Sequence, residues 1–163
     1  MGVLVSHGEI LWNSPYGKGY HLVGFDENDI LRVLPLEGLS TAGVEKLVQD
    51  EKIRDAVTFQ EEASDSNNHF VKLIINGEKR ELNGLGSGAN PRTAIGQRAD
   101  GSVLFLVTDG RGKNGHLGAT ASDLINIMEE YGAVNAANID GGSSSSMYYN
   151  HEYLMTSVTF YYS

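Results

Sequence analysis

The stretch that decides the fold covers residues 103–142. It opens Val103-Leu104-Phe105-Leu106-Val107-Thr108-Asp109-Gly110 and crosses a glycine-rich loop over 110–118. It resumes as Thr120-Ala121-Ser122-Asp123 and closes as Asn138-Ile139-Asp140-Gly141-Gly142. Five apolar residues in a row at 103–107 read as a strand covered on both faces, hence central in its sheet. Thr120 with Asp123 three positions on is a capping-box-like helix start. Leu124, Ile127, Met128 and Tyr131 then recur on one helical face, and Gly132 ends the helix. A strand over 133–139 follows. Strand, helix, strand in that order permits a parallel pair, and ligands of such a unit lie beyond the carboxyl ends of its strands. Asp109 and Asp140 stand at those two ends.

Upstream, Asn90-Pro91-Arg92-Thr93-Ala94-Ile95-Gly96 leads into a hairpin of strands 93–98 and 102–108 joined at Asp100-Gly101. Pro91 lacks an N–H and stiffens the entry to the first strand. A guanidinium at Arg92 is suited to grip a phosphate or carboxylate through paired hydrogen bonds; a surface ion pair is the plainer use of it. Asp109 and Asp140 each have a plainer role too, organising the glycine turn that follows. Gly141-Gly142-Ser143-Ser144 has backbone N–H groups that no side chain covers. Such a stretch is either an anion-binding nest or an ordinary turn. No general base stands near these serines in sequence, so a serine nucleophile is not indicated. Arg111 reads as a loop residue and His116 as a surface histidine within reach of the same rim.

The remainder reads as short strands. Residues 3–12 and 19–25 are strands, and Asp26-Glu27-Asn28-Asp29 is a polar turn back into a strand over 30–34. Ser40 caps a helix over Thr41–Asp50, with Val44, Leu47 and Val48 on one face. Strands over 56–60 and 70–75 flank a polar loop at 61–69, and Asn76-Gly77 turns the second into 78–82. Gly84, Gly86 and Gly88 form a flexible approach to Asn90-Pro91. Residues 147–149 and 157–162 are further strands. The tyrosines at 148, 149, 153, 161 and 162 are suited to stacking on sugar faces, or to cross-strand packing. There is no internal repeat and no domain linker, so 1–163 is read as a single α+β domain. Its sheet is expected to be mixed and largely antiparallel, with at least two helices packed on it.

Composition narrows the function. The 163 residues are 40% apolar and 20% charged, which suits one globular domain with a real core. The formal net charge of -9 argues against a nucleic-acid surface. An anionic ligand must then be met by local arginines or backbone N–H groups. With no cysteine there is neither a disulfide framework nor a thiolate zinc site. His7, His21, His69, His116 and His151 lack metal-ligand spacing. The start is not a signal peptide and no apolar run is long enough to span a membrane.

Taken together, Asn-Pro-Arg-Thr-Ala-Ile-Gly, Asp-Gly-Arg, Gly-Ala-Thr with its helix and Asn-Ala-Ala-Asn-Ile-Asp-Gly-Gly resemble the phosphodiester glycosidase family. That family includes the lysosomal uncovering enzyme, N-acetylglucosamine-1-phosphodiester α-N-acetylglucosaminidase, and many bacterial secreted or envelope proteins. The resemblance is strongest over 90–149. It implies hydrolysis of a sugar from a sugar-1-phosphodiester, and an extracytoplasmic or cell-envelope setting in a bacterium or phage. It carries site roles to Arg92, Thr93, Asp109, Gly110, Asp140, Gly141, Gly142 and Ser144. Asp140 and Asp109 are the expected catalytic pair; the others, with the neighbouring Arg111 and Ser143, are expected to bind substrate. No cofactor is expected to be required, though Asp109 and Asp140 together suit a Mg²⁺ or Ca²⁺ ion.

Ser143 stands where the family often has a third glycine. An upstream Asn-Gly-Gly-aromatic phrase and a downstream arginine are not in this sequence, which looks like the later part of the family's domain. The rival expectation is a non-catalytic module of a cell-envelope, spore or phage structure that binds a glycan or phosphosugar.

Overall fold

A computed structural model describes residues 2–60, 70–112 and 115–156. Strands β1 (Gly2–Ser6) and β2 (Glu9–Ser14) form a hairpin. The sequence reading ran a single strand through 3–12. The structure breaks it at His7 and Gly8, both with positive φ (50° and 78°), the geometry of a tight two-residue hairpin turn. Next come β3 (Tyr20–Asp26), β4 (Leu31–Pro35), helix α1 (Thr41–Asp50) and β5 (Ile53–Gln60). Ser40 caps α1 as expected, its hydroxyl accepting from Gly43 N–H at 3.1 Å. These five strands make one sheet in the order β2-β1-β5-β3-β4.

The second sheet is made of β6 (Lys72–Ile75), β7 (Glu78–Lys79), β8 (Arg92–Arg98), β9 (Val103–Thr108) and β10 (Ala133–Asn138). Their order is β7-β6-β10-β8-β9. Helix α2 (Ala121–Glu130) joins β9 to β10, with a full capping box between Thr120 and Asp123. A separate hairpin, β11 (Met147–Tyr149) and β12 (Glu152–Met155), follows. The sequence reading passed over β12; its strand over 157–162 and the loop at 61–69 lie outside the described residues.

Strand faces alternate, and that period builds four layers. Val3, Val5 and Leu22 pack under Val44 and Val48 of α1. Leu73, Ala94 and Ala136 pack under Leu124, Ile125 and Met128 of α2. The opposite faces meet between the sheets, where Val23 and Val33 of one join Ala137 and Ile95 of the other. The α+β class expected from sequence is what forms. Gln97 pins this inner layer: its amide bonds Leu31 N–H at 2.7 Å and Asp29 C=O at 2.6 Å, across to the other sheet.

One detail of the sequence reading is corrected. β9 pairs only with β8 among the described residues, and Phe105 is 72% exposed, so this strand is not central. Leu104 and Leu106 pack toward α2, while Phe105 points the other way. Nor do β9 and β10 pair. Both are neighbours of β8, and each is antiparallel to it. They therefore run in one direction with β8 between them. The carboxyl ends of β9 and β10 and the amino end of β8 share one edge of the sheet.

Candidate functional site

That shared edge brings the three sequence phrases together. Arg92 is in register with Thr108, and its N–H donates to Thr108 Oγ1 at 3.0 Å. The ladder between β8 and β10 continues past the strand end, with Ile139 N–H donating to Thr93 C=O at 2.9 Å and Gly142 N–H to Pro91 C=O at 2.8 Å. Asp140 is held between these two bonds. Asn90 pairs in turn with Ala119, just before α2.

The two glycines after Asp140 are needed for this approach. A Cβ on Gly141 would lie 2.9 Å from Pro91 O, closer than side-chain carbons come to backbone oxygens. Gly142 has φ of 65°, and a Cβ there would lie 2.9 Å from Arg111 Nη2. Gly110 is buried and faces Pro91 and Gly118 equally closely. Arg111 is itself left-handed, with φ of 57°, which aims its guanidinium at the Gly142 turn.

Gly142–Ser144 forms one 3₁₀ turn. The sequence reading left its N–H groups open to an anion. In the structure Gly142, Ser144 and Ser145 N–H donate to Pro91, Gly141 and Gly142 carbonyls. What this loop turns outward is the exposed residues Ser143 and Ser144. Ser145 is fully buried, and its hydroxyl lies 3.1 Å from Thr93 Oγ1. Sequence reasoning passed over Ser145, since one serine in a run of four carries no signal of burial.

Arg92 is buried rather than at the surface. Nε donates to Ala119 C=O at 3.1 Å, and Nη2 to Ser87 Oγ at 3.1 Å and Gly88 C=O at 2.9 Å. Burial lowers its pKa from the usual arginine value. It nevertheless stays protonated, because guanidinium pKa values lie far above neutrality. The glycine-rich approach read as flexible is thereby fastened. Ser87 also accepts from Ala121 N–H at 2.7 Å, tying it to the start of α2.

Asp109 follows β9 with its side chain 23% exposed, and Asp140 is exposed. His116 Nδ1 lies 4.0 Å from Asp109 Oδ1, so this histidine reaches the rim. A cavity of about 710 Å³ opens beside Asp109, between β9 and α2. A second, of about 780 Å³, lies near His21, Lys72 and Lys79 and contains none of the three phrases. Among the described residues no group of three or more His, Cys, Asp or Glu gathers in the manner of a metal centre. Also among the described residues, no helix is long and apolar enough to cross a membrane.

Comparison with known proteins fits this arrangement. The SPbeta prophage-derived uncharacterized protein YomE of Bacillus subtilis (strain 168) is 38% identical over 65 residues, covering 40% of this chain and 10% of YomE. A Burkholderia pseudomallei K96243 protein named as a candidate for export is 36% identical, covering 40% of this chain and 13% of that one, with a TM-score of 0.39. The zebrafish N-acetylglucosamine-1-phosphodiester α-N-acetylglucosaminidase catalytic domain, auto-inhibited by its pro-peptide, superposes with a TM-score of 0.65 at 19% identity. That match covers 94% of this chain and 49% of the zebrafish chain, and shows a shared fold. The matched segment thus spans about a tenth of the curated relative, and the chain spans about half of the zebrafish chain. The phosphodiester glycosidase family profile matches residues 1–160, and with that match over nearly the whole length the chain belongs to the phosphodiester glycosidase family.

Proposed function

We propose that this chain carries the site of a hydrolase that releases a sugar from a sugar-1-phosphodiester. The observation that supports this most is the stitching of Asp140, Asp109 and the Arg111–Gly142 contact onto one sheet edge. The reaction breaks the bond between sugar C1 and the phosphate oxygen. Water supplies the new oxygen on C1, and the phosphate leaves as a monoester anion. Such a leaving group needs little help from a general acid. The main demands are a carboxylate to activate water or steady the oxocarbenium-like sugar, and donors for the departing phosphate.

Asp140 and Asp109 are the two acids at this rim. In this reading the exposed Ser143 and Ser144, with Arg111 beside Gly142, meet the phosphate, and Thr93 and the Gly110, Gly141 and Gly142 backbone shape the turn behind them. Arg92 adds positive charge from beneath, while its hydrogen bonds to Ala119 and Gly88 hold the rim in place. Asp109 and Asp140 are the residues that would hold a Mg²⁺ or Ca²⁺ ion, which would supply positive charge to the departing phosphate. A bacterial or phage envelope glycan is the setting this reading favours.

Asp140→Asn tests the assignment. Asn keeps the turn geometry and loses the charge. Release of free sugar from a chromogenic sugar-1-phosphodiester should fall at least a hundredfold, with thermal stability unchanged. Unchanged turnover would leave Asp140 as a turn residue only. A phosphosugar-binding module without turnover is the second reading. Calorimetric binding of a sugar phosphate with no sugar release at any enzyme concentration would select it.

A further inference from the structure

Strand β10 holds two buried asparagines in different states. Asn135 Oδ1 accepts from Asn76 N–H at 2.8 Å, which ties β10 to the turn after β6. Asn138 is as deeply buried, 7% exposed, yet its Oδ1 has no hydrogen-bond partner among the described residues. A desolvated carbonyl left unpaired weakens a fold, a cost that functional sites tolerate.

The place of Asn138 indicates its use. It is in register with Ala94 and two residues beyond Ala136, and both alanines pack under α2. Alternation puts the Asn138 side chain on that same side of the sheet. Ile139 keeps the ladder with Thr93, so Asp140 follows at the outer end of the row. Inboard of Asn138 the row is apolar. Asn138 is thus the first polar side chain behind Asp140, and it carries an acceptor that the protein leaves unused.

Resting on the function proposed above, we infer that Asn138 positions the water that attacks sugar C1. A water molecule has two protons to place. Asp140 accepts one and Asn138 Oδ1 the other, which leaves an oxygen lone pair aimed out of the rim at C1. As the water oxygen bonds to C1, the bond from C1 to the phosphate oxygen breaks and its electrons stay on the phosphate. Asp140 takes one proton and passes it to solvent. The other stays on the new C1 hydroxyl, held by Asn138. The oxocarbenium-like sugar is then left to Asp109.

The test uses the full chain with a chromogenic sugar-1-phosphodiester, in water and in water–methanol mixtures. Free sugar and methyl glycoside are measured side by side. Methanol has a single O–H proton, so it cannot serve both acceptors, and wild type should favour water. Asn138→Leu has a similar volume and removes the unpaired carbonyl. It should cut kcat about tenfold, the size of one hydrogen bond, with KM unchanged. It should also raise the ratio of methyl glycoside to free sugar severalfold, and keep or raise the melting temperature. Asn138→Ala is read in the same way if leucine does not fit.

Unchanged rate and ratio overturn the assignment while the proposed function stands. So does a fall in rate with an unchanged ratio, or one matched by a loss of melting temperature, since each marks a structural residue. If wild type releases neither free sugar nor methyl glycoside, the proposed function fails and the role of Asn138 fails with it.

Discussion

The hydroxyls of Thr93 and Ser145 lie 3.1 Å apart, joining the first residues of β8 to the end of the Gly-Gly-Ser turn. Ser145 has no exposed surface. Removing one hydroxyl of a buried pair leaves the other without its partner, which costs about 1–3 kcal/mol. Ser145→Ala should therefore lower stability by about that amount in urea unfolding. It should also reduce sugar release more than tenfold, because the turn bearing Ser143 and Ser144 loses its anchor. A variant with wild-type stability and rate would show that the backbone bonds of Gly142 and Ile139 suffice to hold the turn.

Gly141→Ala and Gly142→Ala should both be damaging, for different reasons. At Gly141 the new methyl meets the Pro91 carbonyl at 2.9 Å, and backbone cannot move aside easily. At Gly142 it meets the end of the flexible Arg111 side chain, and the positive φ adds strain of about 1 kcal/mol. Gly141→Ala should thus lose more melting temperature. Gly142→Ala should lose mainly phosphate affinity, as Arg111 is pushed out of place. Calorimetry with inorganic phosphate beside thermal unfolding separates the two, and equal losses in both would contradict the assignment of Arg111.

Local signals were legible in the sequence, and non-local ones were not. Ser40, the Thr120–Asp123 box and Asn76-Gly77 each act within four residues, so their residue types suffice to place a cap or a turn. The Asp109 and Asp140 strand ends were found in the same way. The place of β9 was not, because five apolar residues look alike in a central strand and in one whose Phe105 faces outward. The inner layer between the sheets depends on partners far apart in sequence, such as Gln97 with Leu31. Arg92 was placed at the rim, but its burial follows from Ala119, Gly88 and Ser87 closing around it. None of these is marked by composition. Asn150 and His151, both with positive φ, turn β11 into β12 without a glycine, which is why that hairpin escaped notice.

Arg92→Lys should be far from conservative. The planar fork reaches Ala119 C=O with one nitrogen and Ser87 and Gly88 with another. An ammonium cannot reproduce that span. Loss of about 2–3 kcal/mol is expected, since bonds to a charged donor are the stronger kind. Hydrogen exchange at residues 84–90 and at the start of α2 should rise together. Exchange that rises nowhere in these segments would show that Arg92 does not fasten them.

The last expectation concerns acid. Asp26 is buried, which by itself raises its pKa, but the Ile30 and Asn28 N–H groups and the Arg32 guanidinium outweigh this and hold it below the usual value. A depressed folded pKa means that the unfolded chain takes up the proton first as pH falls. The stabilisation from ionised Asp26 is therefore fully present above the ordinary aspartate pKa of about 3.9, and is lost as pH drops through the lower folded value. Asp55 and Asp100 are also shifted down, but they are exposed and weigh less. Urea unfolding at pH 7, 4 and 3 should show wild type losing stability steeply over the lower interval. Asp26→Asn should start lower at pH 7, having lost the ion pair with Arg32, and fall less between pH 4 and pH 3. Parallel loss in the two proteins would assign the acid sensitivity to other carboxylates.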